Sequence, residues 1–89
     1  MNNIYKMDFD DVLSKLKDIN LDNYTLSNEV KLDFYKYYKQ SIEGDCTKEK
    51  PWAICYKDFA KWEAWNSIKG MSSHEAKEEY VKCYYEFIS

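Results

Sequence analysis

Eighty-nine residues hold one hydrophobic core, so the chain reads as a single domain over positions 1–89. It is 45% hydrophobic, 33% charged and 18% aromatic, with nine tyrosines, which excludes a disordered chain. Thirteen basic residues against sixteen acidic ones leave a net charge of −3, which speaks against a nucleic-acid partner.

The start of the chain, Met1 to Asp11, carries Lys6, Asp8, Asp10 and Asp11 and so lacks the apolar core of a signal peptide. Phe9, Leu13, Leu16 and Ile19 then fall at spacings of 4, 3 and 3, with Lys15, Lys17 and Asp18 between them. That is the pattern of an amphipathic helix. Asn20 to Thr25 is a polar connection. Ser27 is placed to cap a second helix, with Glu29 in its first turn where the helix dipole favours a carboxylate. This helix is expected to run to about Glu43 and stop at Gly44.

From Gly44 to Tyr56 the chain makes a connection of about a dozen residues, a length associated with function in small domains. A third helix is expected over Lys57 to Lys69, with Trp62, Trp65 and Ile68 spaced by threes and Gly70 ending it. Ser72-Ser73-His74-Glu75 reads as a capping box, Ser72 capping and Glu75 reaching back. The last helix carries Ala76, Tyr80, Cys83, Tyr84 and Phe87. Four helices and no strand candidate predict an all-α bundle. No run approaches the roughly 18–20 apolar residues of a membrane span.

Cys46, Cys55 and Cys83 are an odd number without a C-x-x-C pair, and the chain has one histidine. Neither a disulfide framework nor a zinc site is built this way, so no metal is expected and a reducing, cytoplasmic setting is. His74 sits in a helix cap, and one histidine assembles no nucleophilic triad. The carboxylates are scattered over polar faces without a glycosidase-like pair. The chain therefore reads as a non-enzyme without a cofactor.

The second helix is the informative one. At about 100° per residue its apolar and aromatic positions sweep from Tyr37 through Val30, Phe34, Tyr38, Ile42 and Tyr35 to Leu32. That arc is roughly 220°, about twice what a core-facing stripe requires. Asp33, Lys36, Gln40 and Glu43 form the polar side. Tyr35, Tyr38 and Lys39 lie in the outer half of the arc at i+3 and i+4 spacings, and so project side by side. Phenols offer a flat surface plus a hydroxyl, and the lysine offers a point charge suited to phosphate. Half-buried core tyrosines with wet tips are the plainer reading.

Lys57 and Lys61 form a like-charged i,i+4 pair that an anion would stabilise, although Asp58 and Glu63 could simply screen it. The plain reading of Trp62 and Trp65 is core, and that of Lys17 is a solvated charge.

The run Tyr35-Lys36-Tyr37-Tyr38-Lys39-Gln40, followed by Gly44-Asp45, Lys50-Pro51 and Lys61-Trp62-Glu63-Ala64-Trp65-Asn66-Ser67-Ile68-Lys69-Gly70, resembles the acyl-CoA-binding protein family. Its pattern Y-x-x-Y-K-Q, G-D, K-W-x-A-W-x-x-x-x-G is present without a gap, and the likeness extends from about Phe9 to Phe87. The resemblance implies a four-helix bundle of up-down-down-up topology with a bowl-shaped site for one long-chain acyl-CoA ester such as palmitoyl-CoA.

Carried over by position, it implies that Tyr35, Lys39 and Lys61 grip the 3′-phosphate of the CoA ribose. Tyr38 packs on the adenine region and Tyr80 lines the nucleotide site. Lys17 and Lys57 touch the head group further out, and Leu13 lines the acyl-chain groove. It further implies a monomeric carrier whose partners are acyl-CoA esters, the enzymes that use them and, transiently, membranes. The alternative is a helical protein–protein interaction module in which the wide aromatic face is the interface.

Overall fold

Side-chain caps set the starts of three of the four helices, and the structure, a computed structural model, describes residues 6–20 and 23–89. Met1–Tyr5 and two residues of the expected Asn20–Thr25 connection lie outside the described residues. Helix α1 spans Phe9–Lys17 and opens with a full capping box. The Asp8 carboxylate accepts from the Asp11 N–H at 2.9 Å, and the Asp11 carboxylate accepts from the Asp8 N–H at 3.2 Å. This box uses aspartate where the usual pattern has Glu or Gln, and sequence reading passes over it.

Helix α2 spans Asn28–Glu43, with Ser27 Oγ accepting from the Val30 N–H at 3.1 Å. It stops at Gly44, whose φ of 81° is a left-handed value that favours glycine.

Helix α3 is Tyr56–Asn66, three residues shorter at its C-terminal end than the expected stop at Lys69. Ile68 and Lys69 donate back to Trp65 and Asn66, so the last turn tightens to i−3 bonds before Gly70 turns the chain at φ 96°. Helix α4 spans Ser73–Phe87. Its expected capping box forms by half. Ser72 Oγ accepts from the Glu75 N–H at 3.0 Å, but the Glu75 carboxylate lies 3.4 Å from the Ser72 hydroxyl instead of reaching its backbone N–H.

Helix directions follow from which residues meet. Tyr35 faces Lys61 and Gln40 faces Trp65, so α2 and α3 run parallel. Ser73 Oγ donates to the Ser41 carbonyl while Phe34 meets Tyr80, so α4 runs antiparallel to α2. Phe9 at the start of α1 meets Lys77 and Tyr80 in the first half of α4. The four helices form the expected all-α bundle, with α3 parallel and α4 antiparallel to α2. Phe9, Val12, Phe34, Tyr80, Val81, Cys83 and Tyr84 form its core, with Leu13, Leu16 and Val30 among the half-buried residues packed around it.

The bundle is only 18 Å across its short axis, about two helices thick. Such a layer leaves little room for a large enclosed chamber.

Gln40 overturns its assignment to the polar side of α2, for it is 0% exposed. Its amide donates to the Asp45 carboxylate and to the Met71 carbonyl, each at 2.8 Å. Its Oε1 accepts from the Trp65 indole at 3.1 Å. A buried amide is tolerable when its partners are this complete. Asp45 also accepts from the Gly70 N–H at 2.7 Å. Gln40, Asp45, Trp65 and Gly70 thus form one hydrogen-bonded seam joining α2, α3 and both following loops.

The thiols are sharply unequal. Cys46 and Cys83 are buried and Cys55 is exposed. Burial, followed by the carboxylates of Asp33, Glu79 and Glu86, pushes the Cys83 thiol up to about 12, so its reactive thiolate is scarce at neutral pH. A thiol reagent at about pH 8 is expected to modify one cysteine quickly and the other two only after denaturation. A second fast equivalent would contradict the burial of Cys46 and Cys83.

Candidate functional site

Parallel packing of α2 on α3 brings together side chains that are more than 20 residues apart in sequence. The Lys61 ammonium stands 5.4 Å from the centre of the Tyr35 ring. One helical turn along, the ammonium of Lys39 stands 5.1 Å from the Trp65 ring, and that of Lys48 stands 5.9 Å from it. Between them opens a cleft of about 250 Å³, walled by Tyr35, Trp62, Trp65 and Pro51, with Lys48 and Lys61 at its edge and Glu49 and Asp58 beside them. Aromatic faces hold the ammonium groups by cation–π attraction, which helps the cations converge.

Glu43 is bound to Lys39 through an i,i+4 ion pair. The hydrogen bond to Glu43 raises the Lys39 ammonium above its usual range, and the same bond holds the Glu43 carboxyl below its own. Burial raises the Tyr35 phenol while the nearby Lys39 ammonium opposes that shift. Tyr35 therefore keeps its proton at neutral pH and remains a hydrogen-bond donor. An aromatic wall, a phenol O–H and ammonium groups together suit a planar ligand bearing phosphate.

The remaining expected residues fall in three settings. Tyr38 is 39% exposed, and its ring lies 6.2 Å from that of Tyr80. Tyr80 itself is only 7% exposed, held edge-on by Phe9 at 5.3 Å and Phe34 at 5.5 Å. Burial pushes its phenol up to about 12. Tyr80 is thus foremost a core residue, continuous with the surface through Tyr38. Leu13 is half-buried against the core cluster. Lys17 and Lys57 are exposed on α1 and α3, and neither lines the cleft.

Sequence reasoning missed Lys48 and Pro51, because loop residues have no periodicity to place them. The cues were the length of the connection and, for Pro51, its place beside Lys50 in the family motif. The Trp62 indole N–H donates to the Lys48 carbonyl at 2.9 Å and ties that connection to α3. Trp62 is accordingly half-buried, while Trp65 is the core residue expected. A larger hollow of about 620 Å³ lies on the α2–α4 flank. Asp33, Glu79 and Glu86 line it against Lys82 alone, the wrong sign for phosphate.

The sequence profile of the family described as Acyl CoA binding protein matches residues 6–84. The chain is 45% identical over 58 residues to the Acyl-CoA-binding protein of Dictyostelium discoideum, covering 65% of this chain and 69% of that one. It is 37% identical over 76 residues to Enoyl-CoA delta isomerase 2 of Rattus norvegicus, covering 85% of this chain but only 19% of that protein. Its fold superimposes on the crystal structure of Oryza sativa Acyl-CoA-Binding Protein 2 with a TM-score of 0.80 at 34% identity, over 90% of this chain and 84% of that one. The seam of Gln40, Asp45, Trp65 and Gly70, the cation-edged aromatic cleft and these likenesses lead to one conclusion: the chain belongs to the acyl-CoA-binding protein family.

Proposed function

We propose that the protein binds long-chain fatty acyl-CoA esters one-to-one and serves as a non-catalytic cytoplasmic carrier and buffer for them. The observation that carries this reading is the convergence of Lys39, Lys48 and Lys61 on the Tyr35–Trp65 wall of an acidic protein. Tyr35, Lys39 and Lys61 would take the ribose phosphate, with Tyr38 against the adenine and Tyr80 supporting Tyr38 from beneath. Lys17 and Lys57 would meet the outer head group, and Leu13 the acyl chain. A cleft of about 250 Å³ admits a phosphate and its sugar but not a whole CoA ester, so the rest of the ligand would lie along the surface.

Energetics divide the recognition. Charge-assisted hydrogen bonds to phosphate contribute ~1.5–3 kcal/mol each and hold every CoA ester alike. Chain burial adds ~0.8 kcal/mol per methylene, so four more buried methylenes favour a longer chain roughly 200-fold. Calorimetric titration with palmitoyl-CoA, free CoA and palmitate is the test. Tight one-to-one binding of the ester, with free CoA and palmitate both much weaker, is expected. Failure of all three to bind would turn the aromatic face into a protein-interaction surface.

A further inference from the structure

We propose that the turn at 52–55, with Tyr56 at the first position of α3, is a docking element for the surface of an anionic lipid bilayer. Trp52 is 83% exposed, Ile54 87% and Tyr56 72%, three large apolar side chains at the tip of one turn. Clustered exposure of this kind marks an interaction site, whereas a single exposed apolar residue does not. The turn is built to hold them outward. Its Cys55 N–H donates to the Trp52 carbonyl at 2.9 Å, and Cys55 in turn accepts from the Phe59 N–H at 2.8 Å. Half-buried Pro51 and the Trp62–Lys48 bond anchor the base of the turn.

Charge and shape choose the occupant. Residues 48–61 carry Lys48, Lys50, Lys57 and Lys61 against Glu49 and Asp58, a net charge of +2 in a chain of net −3. The stretch that carries the turn is therefore locally basic in an acidic protein, complementary to an anionic surface. A convex tip of three side chains is far short of the ~800 Å² per partner that a stable protein interface buries. It suffices for shallow insertion, where Trp and Tyr sit with their apolar bodies in the interface and their polar tips in water. Pro51 and Lys48 stand at the base of the turn and line the cleft, so docking would bring the edge of the cleft to the bilayer. The inference deepens the carrier reading by naming where the protein meets a membrane.

The test uses no acyl-CoA, so that it stands or fails apart from ligand binding. The full chain is sedimented with phosphatidylcholine vesicles made with or without phosphatidylserine. Wild type is expected to partition onto the phosphatidylserine vesicles, less so at high salt. Trp52→Ser/Ile54→Ser is expected to partition at least about tenfold more weakly and Ile54→Ser alone to an intermediate degree, both with unchanged helicity. Palmitoyl-CoA affinity in vesicle-free solution should be unchanged in the double variant. Absence of wild-type partitioning, or equal partitioning of the double variant, would overturn the proposal. Loss of palmitoyl-CoA affinity without vesicles would reassign the turn to covering the acyl chain, and wild-type self-association there would reassign it to a second copy.

Discussion

Trp65→Ala is expected to lower the melting temperature by at least about 12 °C, the largest effect of any single change considered for this protein. The side chain is 2% exposed, and core Trp→Ala changes cost ~3–5 kcal/mol through lost burial and the cavity left behind. Each kcal/mol moves the midpoint of a domain this small by ~4–8 °C. Here the loss is compounded. The indole N–H is shared between Gln40 Oε1 at 3.1 Å and the Gly44 carbonyl at 2.9 Å, and both acceptors would lose it.

Trp65→Phe keeps an apolar ring, and so removes the donor together with only part of the buried volume. It should fall between wild type and alanine when melting is followed by circular dichroism. An unchanged midpoint for the alanine variant would remove Trp65 from the core.

Lys61→Ala is expected to weaken palmitoyl-CoA binding roughly 10- to 150-fold, the equivalent of one charge-assisted hydrogen bond to phosphate. Lys61 is exposed, so helicity and melting temperature should remain those of wild type. Lys39→Ala is expected to cost less, for a reason visible in the free protein. Its ammonium is already engaged by Glu43, so a phosphate gains only the difference between two anions. The ammonium of Lys61 faces the Tyr35 ring, a weaker partner than a phosphate. Raising ionic strength should narrow the gap between Lys61→Ala and wild type, because the contact is partly screened. Full affinity of Lys61→Ala at low salt would leave the proposed phosphate grip without support.

The outer half of the α2 arc shows how far pattern reading carries. Tyr38 and Ile42, at 39% and 55% exposed, do stand off the core, and the excess width of the arc signals it. The same reading fails one turn away at Gln40, because hydropathy scores an amide as polar whatever its partners. Those partners are Asp45, Trp65 and Met71, at separations of 5, 25 and 31 residues. Much of the motif that suggested a ligand site thus supports the scaffold: Gln40, Asp45, Trp65 and Gly70 hold each other, beside half-buried Tyr35 and Lys39 and exposed Lys61.

Within the sequence alone lay whatever depends on neighbours three or four positions away: the cap at Ser27, the stop at Gly44, the four amphipathic stretches and the lateral grouping of Tyr35, Tyr38 and Lys39. Helix periodicity and cap hydrogen bonds are local, so they can be read from spacing. Only the tertiary structure put Lys61 over Tyr35, drew Lys48 from a loop onto Trp65 and left Trp52, Ile54 and Tyr56 standing in water. Each of these depends on how α3 and its preceding connection lie against α2. That packing is settled by contacts between residues distant in sequence, which no local spacing records.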